Sequence, residues 1–188
     1  MNVPIAAAIL VLSLFGGVQQ EKPVSQEKPS SQDMSSCPMH QQHQAAAQDE
    51  HHQGVVERGD RAMGFSHETT THHFRLYADG GAIEAEAKDT QDAASRDAIR
   101  SHFAHIAKLF AAGDFSIPML IHAEDPPGTE TMKRLRDAIQ YEVENTARGG
   151  RIRIVTKDAD ALHAVHTFLR FQISDHQTGD STLVIPVP

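Results

Sequence analysis

Tryptophan is absent from this 188-residue chain, and cysteine occurs once, as Cys37. One cysteine cannot close an internal disulfide, so the fold is not a disulfide scaffold. Without tryptophan the core must rest on 8 phenylalanines together with Ile, Leu, Val and Ala. Positive charge is scarce too. Against 25 Asp and Glu stand 17 Lys and Arg, a net charge of −8 with histidine neutral. Such a balance gives a phosphate backbone nothing to grip, so no nucleic-acid partner is expected. The sequence contains no H-E-x-x-H, P-loop, G-x-S-x-G, Rossmann glycine set or C-x-x-C-H. A thiol nucleophile is not expected either, because Cys37 lies in a polar segment.

Long apolar runs are also lacking, with one exception. Ile5 to Phe15 is unbroken apart from Ser13, about 11 residues, which suits a signal h-region and is too short to span a bilayer. Residues 1–20 are therefore expected to be a signal peptide, and the product to be periplasmic or secreted, with no transmembrane segment in the mature chain. Residues 21–54 are rich in Gln, Ser, Lys, Pro and His. They carry too little apolar surface to offset the entropy of ordering, and the expectation is a disordered tether. A helix over Gln41 to Gln53 would be marginal alone.

Residues 55–180 carry the patterns of one α+β domain. Thr71 to Ala78 alternates, with Phe74 and Leu76 inward; Asp79-Gly80-Gly81 turns the chain, and Ala82 to Ala87 alternates again. Ile99, Phe103, Ile106 and Phe110 then keep helical spacing after a cap at Asp89 or Thr90, and Gly113 is placed to end that helix. Ile117 to His122 is apolar and short, as a strand would be. A short helix is expected over Thr129 to Asp137. A second hairpin around Arg148-Gly149-Gly150 predicts cross-strand pairs of Glu142 and Glu144 with Arg151 and Arg153. Asp158 caps a last helix with Leu162, Val165, Leu169 and Ile173 as its apolar stripe. Two hairpin–helix units predict a four-stranded antiparallel sheet with helices on one face. Residues 181–188 are expected to be a tail.

Histidine is what the chain has in excess: 13 copies, more than packing asks for. The first group is Cys37-Pro38-Met39-His40, followed by His43, His51 and His52. Thiolate and thioether are soft donors suited to Cu(I), while imidazole suits Cu(II), zinc and nickel. Cys-Pro-Met-His resembles the short heavy-metal-binding motif of copper and other heavy-metal efflux proteins. That resemblance implies metal binding at Cys37, Met39 and His40. A second group, Met63, His67, His72 and His73, lies at the entrance of the first strand; His72 shares the inward face with Phe74, and His73 points away. A third comprises two H-x-x-H pairs, His102 with His105 and His163 with His166, with His122 and His176 as further ligands; spacing of three puts both rings of a pair on one helix face. The segments Thr70 to Phe74 (T-T-H-H-F) and Phe168 to Ile173 (F-L-R-F-Q-I) resemble an uncharacterised family of exported bacterial proteins.

The leading expectation is an exported protein that binds copper, or zinc or another transition metal, for buffering, resistance or delivery. Its partners would be the ion and another envelope metal-handling protein. One alternative is a metal- or His-dependent enzyme built on His102, His105, His166 and His176. The other is a non-catalytic interaction module whose histidines respond to pH.

Overall fold

The computed structural model describes residues 38–188, the side chains at 38–41 and 43–45 excepted. The expected signal peptide, most of the expected tether and Cys37 lie outside the described residues.

The first described element crosses the tether boundary expected at residue 54. Helix α1 runs from Pro38 to Met63. Its composition is polar and would not hold a helix in isolation. Tertiary contact supplies the difference. Val55 is fully buried, and Arg58 Nε donates to the Ile121 carbonyl at 2.7 Å. Pro38 at the first helical position loses no hydrogen bond, since that N–H has no partner within the helix.

Strands β1 (Thr70–Tyr77) and β2 (Gly80–Ala87) form the first hairpin. Helix α2 (Ala93–Ala111) follows, capped by Asp92 rather than Asp89 or Thr90: its side chain accepts from Ser95 N at 2.9 Å. Ile99, Phe103, Ile106 and Phe110 are buried on one face of it. Gly113, at φ 77°, ends it in the left-handed conformation that glycine takes without a Cβ penalty. The stretch Ile117 to His122 is helical, not extended: α3 spans Ser116–His122. Pro118 sits in its first turn, where a missing N–H costs nothing. After α4 (Thr129–Arg134) and one 3₁₀ turn (Arg136–Ala138) comes the second hairpin, β3 (Ile139–Asn145) and β4 (Gly149–Thr156). Helix α5 (Ala159–Asp175) is capped by Asp158, which accepts from Asp160 N at 3.0 Å and Ala161 N at 2.9 Å.

The sheet order is β3-β4-β2-β1-β5. The first four strands are antiparallel, but the sheet is mixed, because β5 (Val184–Ile185), drawn from the tail, pairs in parallel with β1. Asp180 anchors that tail: it accepts from Phe74 N at 2.9 Å and from Arg75 Nη1 at 3.0 Å. The class is α+β, as the alternating patterns imply.

Helices α2 and α5 cover one face. A Cβ on Gly150 would stand 3.3 Å from Phe103, and one on Gly81 would stand 2.2 Å from Leu169 Cδ1 and 2.4 Å from the Arg75 carbonyl oxygen. Gly81→Ala is therefore expected to force β2 away from β1 and α5 and cost about 1–3 kcal/mol. A urea unfolding curve with a lower midpoint and an unchanged slope would show it; an unmoved midpoint would contradict the contact. The opposite face is a charged ladder. Glu84 lies between Arg151 at 2.8 Å and Arg75 at 3.8 Å, and Arg151 also meets Glu144 at 3.3 Å. Glu142 and Arg153 stand opposite in register, yet Arg153 turns instead to Asp79, at 2.9 Å, and to the Gly81 carbonyl, at 2.7 Å. That choice satisfies a guanidinium only 6% exposed. Among the described residues, no single helix is long and apolar enough to cross a membrane.

Candidate metal centre

The middle of helix α1 meets the C-terminal ends of α3 and α5, and each brings polar side chains to the junction. His51 and His52 come from α1, His122 ends α3, and Asp175 ends α5. Ala123, at φ 57°, caps α3 in the left-handed conformation, and Glu124 follows it. His51 Nε2 lies 2.7 Å from Asp175 Oδ1. His122 Nδ1 makes a short contact with Asp175 Oδ2, and His52 Nδ1 lies 3.3 Å from the Asp175 carbonyl oxygen. Burial raises the Asp175 pKa, but hydrogen bonds from His122 and His51 outweigh it and hold the carboxyl below its usual value. Ligand atoms of His51, Glu124 and Asp175 all lie within 4.8 Å of one another. Among the described residues they are the one group of three His, Cys, Asp or Glu side chains that meets this limit.

His122 is 1% exposed and sits between that junction and the interior. If its Nδ1 donates to Asp175, its Nε2 is left as an acceptor, 3.1 Å from Gln172 Oε1. The Gln172 amide nitrogen is buried without a partner; turning the amide over supplies both atoms with what they lack. Further in, the His176 ring meets His122 edge-on with centres 5.0 Å apart and lies nearly parallel to His72 at 6.2 Å. Phe65 lies nearly parallel to His72 at 5.5 Å and meets His102 edge-on at 5.7 Å. His72, His102, His176 and Met63 line one internal cavity. Burial, reinforced by neighbouring imidazoles, pushes His72 and His102 down to about 4 and His176 to about 3. All three rings are neutral at pH 7.

Several histidines singled out in the sequence take other roles. His166 Nε2 lies 2.9 Å from the Tyr77 carbonyl and 3.0 Å from that of Gly80, a packed histidine that ties α5 to the first hairpin. His105 and His163 are exposed. Spacing of three along a helix brought neither pair to a shared site: in each, one ring turns inward while its neighbour faces solvent. The enzyme constellation of His102, His105, His166 and His176 is thus not assembled, since only His102 and His176 share a cavity. His67 pairs with Asp60 at 2.9 Å and His73 with Asp180 at 3.0 Å. Burial raises Asp60, but bonds from His67 lower it further. Met39, His40 and His43 lie within the span of α1; their side chains, and Cys37, lie outside the described residues. Glu124 and Asp175 were not singled out as ligands. Their signals were adjacency to His122 and His176, at the ends of two helices.

Comparison with known proteins finds no matching family model, no matching curated protein and no matching solved structure.

Proposed function

We propose that the protein is an exported metal-binding protein that holds a first-row transition ion at His51, Glu124 and Asp175. Copper is the first choice and zinc the second, and the role is buffering, resistance or delivery to another envelope protein. The observation that carries the reading is the approach of three ligand atoms to within 4.8 Å at one helix junction. Two carboxylates offset the charge of a divalent ion, and imidazole with carboxylate suits Cu(II) and Zn(II) better than Cu(I). Cu(II) stands highest in the general order of divalent affinities. His122 holds Asp175 from behind, the kind of support that fixes a ligand's orientation. The front end, with Cys37, Met39 and His40, adds softer donors and fits capture of the reduced ion.

The test uses the full chain with Cys37→Ser, Met39→Leu, His40→Ala and His43→Ala, so that only the folded domain can bind. Calorimetric titration with Cu(II) and with Zn(II) is expected to give one ion per chain at micromolar Kd or tighter. Ion at about 100 times Kd should add about 2.7 kcal/mol of stability, a rise of several degrees in Tm. Millimolar affinity with an unmoved Tm would remove the proposal.

A further inference from the structure

The donors behind His122 differ in kind from those at the junction. The internal cavity between β1, α2, α3 and α5 has a volume of about 60 Å³, room for an ion or a few waters. Apart from apolar side chains its wall offers Met63, His72, His102, His122, Gln172 and His176, and no carboxylate. Among the described residues, His72 Nε2 is shielded from solvent and has no hydrogen-bond partner. Leaving such an atom unpaired costs about 1–3 kcal/mol, so its presence in a packed fold calls for a reason.

Ligation supplies one. The His72 and His176 rings are 13° from parallel with centres 6.2 Å apart. The rings are stacked, so one must turn about its χ2 for both in-plane nitrogen lone pairs to meet an ion at bonds of ~2 Å. The ion's charge follows from the wall. The cavity wall itself carries no carboxylate, although Asp60 lines the adjoining cleft together with Met63, His72 and His176; two positive charges among phenylalanine and isoleucine would still be costly to bury. One positive charge is tolerated better, and a thioether beside two imidazoles favours a soft ion.

We propose that this cavity is a second metal site, selective for a soft monovalent ion, Cu(I) or Ag(I), held by His72, His176 and Met63. It uses none of the ligands at the junction and is independent of the site proposed there.

The experiment uses the same full chain with its front end silenced, labelled with nitrogen-15 in histidine and loaded anaerobically with one equivalent of silver-109 ion. Scalar coupling between silver and ring nitrogens of His72 and His176 is the expected result. Met63→Leu keeps the volume and removes the sulfur. It is expected to weaken Cu(I) binding, measured by competition with a chromophoric chelator, by at least about tenfold, and to leave Zn(II) affinity unchanged. Silver coupled only to His51 or His52, no coupling at all, or Cu(I) affinity unchanged in Met63→Leu would each overturn the proposal. Loss of Zn(II) binding with silver coupling intact would remove the junction site and leave this one standing.

Discussion

Acidifying the metal-free protein from pH 7 to pH 4 is expected to unfold it, with most of the loss between pH 6.5 and 4. Three buried rings carry the effect. His72 and His102 titrate at about 4 and His176 at about 3 in the fold, against 6.5 for an ordinary histidine. Their folded pKa values lie below the unfolded ones. Between the two values the unfolded chain binds protons that the folded chain does not, so stability falls as pH falls. Above 6.5 both states are neutral and the stabilisation is complete. Three such groups amount to several kcal/mol, a large share of the ~5–15 kcal/mol that holds a domain together. The lowered carboxyls Asp60, Asp175 and Asp180 titrate below their ordinary 3.8, so their loss comes only beneath that window. Urea midpoints followed by circular dichroism at half-unit steps would separate the two phases. Equal midpoints at pH 7 and pH 4.5 would contradict the neutral assignment of the rings.

Removing Asp175 should be the most damaging single change at the junction. Asp175→Ala strips His51 and the buried His122 of their common acceptor at once. A buried hydrogen-bonding group left without its partner costs about 1–3 kcal/mol. The proposed metal site loses its central ligand at the same time. Asp175→Asn divides these effects. It keeps hydrogen-bonding atoms at the junction, so most of the stability is expected to survive, while Zn(II) affinity drops by at least about tenfold, since the ionised ligand is gone. Thermal melts of both variants, with and without zinc, provide the comparison. A Tm for Asp175→Ala equal to that of the native chain would mean that the helices are not joined there.

Much of the architecture was legible in the residues. The alternation of Phe74 and Leu76 with polar neighbours placed β1, and with it His72, on the covered face of the sheet. The stripe from Ile99 to Phe110 gave α2. Other elements were hidden for physical reasons. A six-residue apolar run such as Ile117 to His122 has no period long enough to separate a strand from a helix. Nothing local marks α1 as stable, because its support comes from Val55 and Arg58 against α3. The same holds for the metal centre. His51 and Asp175 are 124 residues apart in the chain, and no spacing rule joins them. They meet only because α1 packs on α3 and α5 ends beside both. The H-x-x-H pairs misled for the opposite reason: their spacing is local, whereas burial sends His166 to the backbone of the first hairpin and leaves His105 in water.

Helix α1 also acts as a ruler. It is continuous from Pro38 to Met63, and each residue advances it by 1.5 Å. His40 and His51 are therefore held roughly 17 Å apart along the axis. A rigid rod of that length cannot fold back on itself, so under the reading proposed above an ion captured at the front end would have to be released before it could reach His51 of the same molecule while the helix is intact.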